Sequence, residues 1–298
     1  MESLLEVTDL VIEFDSDKGR RRVVDGVSVA LAPGEVLGIL GESGSGKTVT
    51  TLAMLGLVTG QPGVVSGSIK IRDGETIQEL LEGLDDHLYE RGGVRYKRVK
   101  RWAKTLGRRM QPIWGRFFTA IFQNPRHSID PLMTIGAQVE ESVRLAHPED
   151  DSAAVTARAL DWLTRVQLND PPRVHRSYAH ELSGGMCQRA MIAVALAREP
   201  QILIADEPTT GLDMTVRAEI VELFRQLLED RSRSMLYISH DIREVLYLAD
   251  RVVIMRHGKV VEMETADNLR NGVGTRAAYT KVLLEAANIA YGDEGDPS

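Results

Sequence analysis

The sequence predicts an α/β fold. It should hold a mainly parallel sheet, an antiparallel β lobe from the N-terminal third, and a helical lobe around residues 131–190. Three observations carry this expectation. Val36–Leu40, Ile202–Ala205 and Met235–Ile238 are short apolar runs of the length of buried parallel strands. Helical stretches follow two of them, at Thr48–Leu57 and Val216–Leu228. Residues 4–14 and 22–31 instead alternate and are rich in Val and Ile, the pattern of half-exposed strands.

Along the chain, Asp15 to Arg21 is a polar turn between those first two strands. Val36–Leu40 runs into a glycine-rich loop and then the helix from Thr48. Val65–Arg72 reads as a further strand. From Glu75 to Glu90 acidic residues cluster, whereas Arg91 to Arg116 holds ten Arg or Lys residues and no Asp or Glu. Val99, Trp102 and Leu106 stand at helical spacing inside this basic stretch. Phe117–Phe122 reads as a buried strand, and Asp151–Leu168 and Ala190–Ala197 read as helices. Arg251–Met255 and Lys259–Glu262 flank His257-Gly258, which predicts a hairpin. Ala277–Ala290 reads as a last helix, and Gly292–Ser298 as a frayed acidic tail. The expected organisation is a main domain over 1–270, with a basic insertion near 91–116, then a short helix and tail over 271–298.

Composition narrows the function. The 298 residues are enough for a large core, and the net charge of -7 disfavours general nucleic-acid binding. A single cysteine, Cys187, excludes an intramolecular disulfide and any cysteine-ligated cluster or zinc site built by this chain alone. No apolar run approaches the ~20 residues that cross a bilayer, and the N-terminus does not read as a signal peptide. The expected location is the cytoplasm or the cytoplasmic face of the membrane, held there by another protein.

Four segments carry the chemistry. Gly41, Glu42, Ser43, Gly44, Ser45, Gly46, Lys47 and Thr48 fit G-x-x-x-x-G-K-[ST], between a strand and a helix. Backbone N–H groups of such a loop surround phosphate oxygens, Lys47 supplies charge to the β- and γ-phosphates, and the Thr48 hydroxyl ligates Mg²⁺. Asp206-Glu207 ends an apolar strand, where Asp206 can hold Mg²⁺ and Glu207 can orient or deprotonate a water. Ser183-Gly184-Gly185 opens a helix and makes a second anion-binding turn, or a plain helix cap. His240 follows an apolar run and is a candidate sensor of the terminal phosphate.

The ordered series resembles the ATP-binding-cassette (ABC) ATPases. Leu182-Ser183-Gly184-Gly185-Met186 is similar to their signature motif, Gln123 to the Q-loop glutamine, Gly211-Leu212-Asp213 to the D-loop, and Ser239-His240-Asp241 to the switch histidine. The resemblance implies a P-loop ATPase with a RecA-like core, using ATP and Mg²⁺. It implies catalytic roles for Glu207, His240 and Gln123, and metal contacts from Thr48, Gln123 and Asp206. Ser183, Gly184, Gly185, Gln188 and Asp213 are expected to act in trans, completing the site of a second copy. Ile121-Phe-Gln-Asn-Pro125, His180–Met186 and Asp206–Asp213 narrow the resemblance to the oligopeptide/dipeptide/nickel importer group. That group implies two membrane permeases, a second ATPase subunit of the same or a paralogous kind, an external solute-binding protein and no specific nucleic acid. The rival reading is a soluble ABC ATPase of an enzyme assembly, of the carbon–phosphorus cleavage type, or an RNA-linked ATPase.

The chain departs from the family pattern in four places. Asp15 to Val24 has no aromatic residue for adenine, leaving Arg20 to Arg22 as substitutes. The basic segment is longer than the usual connection, and reads as a solvated insertion, a contact for anionic headgroups or an acidic permease loop, or an RNA contact. The cysteine-containing tail that continues many group members is not expected in this chain. Cys187 stands where Arg is common, in the first turn of the signature helix. It is expected to be exposed, with a lowered pKa, and protected from maleimide by dimer closure.

Overall fold

In the computed structural model, residues 2–17, 19–92, 94–123 and 128–287 are described. The chain divides into two units. One comprises Met1–Pro112 and Leu236–Ser298; the other is Ile113–Met235.

The first unit opens with an antiparallel sheet, in the order β2-β1-β4-β5. β1 is Leu5–Ser16, β2 Gly19–Leu31, β4 Pro62–Asp73 and β5 Thr76–Glu79. Leu5, Val7, Leu10 and Ile12 are buried along β1, and register shifts after Val7 keep this apolar set inward. β3 (Val36–Leu40) is buried at all five positions. It lies between β10 (Ser234–Ser239) and β11 (Arg251–Arg256), and pairs with β11 in parallel from Leu37↔Arg251 to Leu40↔Ile254. The entrance of β3 is tied down by Asp250, whose carboxylate accepts from the Val36 N–H at 2.8 Å. Beside it Arg251 donates to Glu35 at 2.6 Å, a pairing that raises the Arg251 pKa. β12 (Lys259–Thr265) closes the expected hairpin with β11.

The basic stretch is a compact piece of this unit. β6 (Leu88–Arg91) and β7 (Val94–Lys97) form a hairpin, followed by helix α2 (Val99–Met110). Trp102 and Leu106, expected at helical spacing, are buried together with Met110, whereas Val99 at the first turn is only half-buried. The segment expected over 91–116 divides at Pro112, because Ile113 onward belongs to the second unit. Helices α8 (Ile242–Leu248), α9 (Ala266–Arg270) and α10 (Ala278–Ala286) complete the first unit. The end of the expected last helix and the acidic tail lie outside the described residues.

In the second unit, β8 (Phe118–Ile121) and β9 (Ile202–Asp206) pair in parallel, Phe118 opposite Ile202. The helices are α3 (Ile135–Ala146), α4 (Ser152–Arg165), α5 (Pro171–Arg176), α6 (Gly184–Leu196) and α7 (Met214–Leu227). Each begins at a side chain that accepts a backbone N–H: Thr134, Asp151, Asp170, Ser183 and Asp213. Four of these helices, α3 to α6, occupy the region expected as a helical lobe. α6 is buried almost all round, with Cys187 to Ala193 all inside.

Candidate functional site

The phosphate-loop motif follows β3 and leads into helix α1 (Lys47–Met54). Gly46 sits at φ 101°, a backbone region that L side chains rarely adopt, and turns the chain into the helix. No side chain caps α1 and no acidic residue stands in its first turn, so its positive end is left for an anion. Lys47 is 4% exposed, and its Nζ donates to the carbonyls of Gly41 at 2.7 Å and Glu42 at 3.1 Å. Ser45 Oγ is buried with no hydrogen-bond partner among the described residues. A buried hydroxyl in that state is costly, and a phosphate oxygen would satisfy it. Thr48 is exposed at the start of the helix.

Distant chain braces this loop. The Gly258 N–H in the β11–β12 turn donates to the Ser45 carbonyl at 2.9 Å, and the Asp25 N–H donates to the Gly258 carbonyl at 2.8 Å. The Val23 carbonyl lies against both Gly46 and Gly258. From α10, the buried Tyr279 ring sits under the Arg256 guanidinium at 4.6 Å; burial, then the Glu42 charge, pushes its phenol pKa up. Sequence reasoning missed this frame, reading His257-Gly258 only as a turn.

His240 is exposed just after β10. Its neighbours are fixed by Glu244 of α8, a carboxylate 7% exposed that accepts from Tyr237 Oη at 2.8 Å and Ser239 Oγ at 3.2 Å. The Asp241 N–H in turn donates to Ser239 Oγ at 3.0 Å. A single Glu on an otherwise apolar helix face was the available signal for this role.

In the second unit, Asp206 ends β9 at 5% exposure. Glu207 follows at φ 49°, a strained backbone for a non-glycine residue and of a kind that clusters at functional sites. Its carboxylate accepts from Gln123 Nε2 at 3.3 Å and from Thr210 Oγ1 at 3.0 Å. The structure thus brings together two of the expected catalytic residues and adds Thr210, which sequence reasoning did not single out. Asn124 and Pro125 of the expected Q-loop lie outside the described residues.

The signature turn has the expected form. Ser183 Oγ accepts from the Met186 N–H at 3.3 Å, and Ser183 and Gly184 are exposed. A Cβ on Gly185 would come within 2.8 Å of Val216 Cγ1, so this turn packs directly on α7. The Asp213 carboxylate at the head of α7 accepts from the Thr215 and Val216 N–H groups, both at 3.1 Å. Two expectations need correction. Cys187 is fully buried, with Sγ 3.3 Å from the Ala179 carbonyl, because α6 has no solvent face at that position. Gln188 is 1% exposed, so its side chain is not presented to a second copy.

Among the described residues, no cluster of three or more His, Cys, Asp or Glu side chains forms a ready metal site. Thr48 in the first unit offers a hydroxyl, and Gln123 and Asp206 in the second offer an amide and a carboxylate, each an oxygen group of the kind Mg²⁺ takes.

Comparison with known proteins adds an independent line. Residues 24–210 match the family described as ABC transporter. A putative peptide import ATP-binding protein of Brucella abortus (strain 2308) is 40% identical over 95% of this chain and 76% of its own length. An oligopeptide transport ATP-binding protein of Bacillus subtilis (strain 168) is 37% identical over 98% of this chain and 81% of its own. A dipeptide transport ATP-binding protein of Escherichia coli (strain K12) is 35% identical over 95% and 78%. Among solved structures, a dimeric bacterial ABC transporter cassette superposes with a TM-score of 0.69 at 23% identity, covering 88% of this chain and 98% of that one. That last likeness concerns the fold. The motifs in their order, the phosphate loop in its frame and similarity along nearly the whole chain lead to one assignment: this protein is a member of the ABC transporter family, among its ATP-binding proteins.

Proposed function

We propose that this chain is an ATP hydrolase that energises the import of peptides or similar small solutes through a membrane permease. One observation carries the hydrolase reading: the Glu207 carboxylate, at the end of a buried strand, is held by Gln123 and Thr210. The similarity to peptide-import ATP-binding proteins supports the direction and the solute class. No helix among the described residues is long and apolar enough to cross a membrane. The path for solute therefore belongs to partners, two permease subunits, with a solute-binding protein outside. These partners separate the transport reading from a soluble enzyme assembly.

The residues divide the work. Gly41 to Thr48 bind the triphosphate, with Lys47 neutralising the β- and γ-phosphates and Ser45 Oγ gaining a partner. Thr48, Gln123 and Asp206 hold Mg²⁺, which supplies charge stabilisation at the phosphates when bound. Glu207 orients the attacking water and accepts its proton, with Gln123 and Thr210 fixing the carboxylate. His240 senses the terminal phosphate from a loop locked by Glu244. Ser183, Gly184, Gly185 and Asp213 serve the nucleotide of a second ATPase subunit.

Glu207→Gln tests the reading. The amide keeps an acceptor for Thr210 but loses the base, so ATP binding should persist while hydrolysis falls ~10²–10⁴-fold. Turnover at the parental rate would remove Glu207 from this role. Co-purification from detergent-solubilised membranes tests the transport half: polytopic partners are expected, and a wholly soluble complex overturns it.

A further inference from the structure

We infer that helix α2 is an electrostatic contact for the anionic surface of a lipid bilayer. This goes beyond the proposed transport function and does not depend on it.

At about 100° per residue, Lys100, Lys104, Arg108 and Arg101 fall within a ~100° sector, and Trp102, Leu106 and Met110 fall opposite. The four cations line a stripe about 12 Å long. All four are exposed. None of them forms an ion pair with a carboxylate among the described residues. In a chain of net charge -7 this is a local reversal of sign. The next cation, Arg109, shows the contrast: it turns inward and donates to the carbonyls of Leu80 and Glu82.

The buried face decides the kind of partner. Trp102 is 4% exposed, with its ring in contact with His87 and near Lys97 Nζ, so it is not available to stack on a base or to enter a membrane. Tyr89 and Tyr96 of the hairpin stack on one another, and Arg98 and Arg20 cover them. Single-stranded nucleic acid requires open aromatic platforms, whereas the Tyr89 ring, although 44% exposed, already carries Tyr96 and Arg98 against it. An amphipathic helix lying in the bilayer requires a free apolar face, and that face is sealed against the unit. What remains is a row of long, exposed cations with no ion-pair partner among the described residues. A protein site would pair each of them in a set geometry. A fluid anionic headgroup layer needs no such geometry, and attracts each Lys or Arg held near its surface.

Co-sedimentation of the purified full chain with phosphatidylcholine vesicles, with and without phosphatidylglycerol, tests the inference. Binding should require phosphatidylglycerol and fall steeply with salt. Each cation is worth about a fivefold change in partitioning, so replacing Lys100, Arg101, Lys104 and Arg108 together by Gln should reduce it at least ~100-fold. The buried face is untouched, and an unchanged urea midpoint confirms folding. If the fourfold variant does not fold, Lys104→Gln with Arg108→Gln should still give ~25-fold. Equal binding to neutral vesicles, unchanged binding by the variants, or tighter binding to an oligonucleotide or an acidic peptide than to the anionic vesicles would each overturn it.

Discussion

Replacing Gly258 by Ala should weaken nucleotide binding although this residue is far along the chain from the phosphate loop. Gly258 sits at φ 80°, and a Cβ there would intrude on the Val23 carbonyl oxygen, which is backbone and cannot swing aside. The left-handed conformation costs an L residue about 1–2 kcal/mol. Relieving the clash moves the turn away from β2. That strains the bonds from Gly258 N–H to Ser45 and from Asp25 N–H to Gly258, each worth ~0.5–1.5 kcal/mol. The sum is roughly 2–5 kcal/mol. Gly26 provides the comparison, since at φ 70° a Cβ on it would meet nothing within 4 Å. Gly26→Ala therefore carries only the conformational cost of about 1–2 kcal/mol. Urea unfolding and titration with a fluorescent ATP analogue in Mg²⁺ buffer measure both effects. Gly258→Ala should lose more stability than Gly26→Ala and bind the analogue at least ~10-fold more weakly, equivalent to ~1.4 kcal/mol of strain reaching the loop. Equal stabilities for the two variants, or parental affinity in Gly258→Ala, would refute the bracing argument.

Three further outcomes are expected. Ser183→Arg should leave ATP binding by the isolated subunit intact and abolish turnover; mixed with Lys47→Ala it should recover part of the activity if the chain pairs with itself, and recovery with no dependence on mixing would contradict a role in trans. Maleimide should leave Cys187 unmodified in the folded protein and label it in urea, as mass spectrometry would report, and rapid native labelling would contradict its burial. Burial lowers the Lys97 pKa from 10.5 to about 8. Between those values the unfolded chain holds more protons than the folded one, so this residue's contribution to stability rises with pH from about 8 to 10.5. Compared with Lys97→Met, the parent should gain stability across that window, and a difference that stays flat with pH would refute the assignment.

The parts legible in the sequence were local ones. The phosphate loop, the signature cap and the Asp206-Glu207 strand end each lie within a few consecutive residues, and their backbone geometry follows from that spacing. The apolar face of α2 was equally legible, because Trp102 and Leu106 are one turn apart. The frame around the site was not, since Gly258, Asp25 and Ser45 meet through pairings that no spacing encodes. Helix α8 was missed because it is seven residues long, too short for a period to register. The β6–β7 hairpin was hidden by its charge, although Tyr89 and Tyr96 stand opposite one another across it. Cys187 was misjudged because a place in the first turn of a helix says nothing about which way it faces. Only the packing around α6 decides that.

The pairing of β3 with β11 also bears on how the protein is made. Val36 and its acceptor Asp250 are separated by 214 positions in the chain. At about 5–20 residues per second, a ribosome needs roughly 10–40 s to add that length. Throughout this interval the strand that leads into the phosphate loop has emerged without one of its neighbours, and Ser45 without the turn that holds its carbonyl. The second unit, a continuous stretch, is complete in synthesis before that neighbour exists. The residues of the signature turn are therefore synthesised before Asp250 and Gly258, the residues that tie down β3 and the phosphate loop.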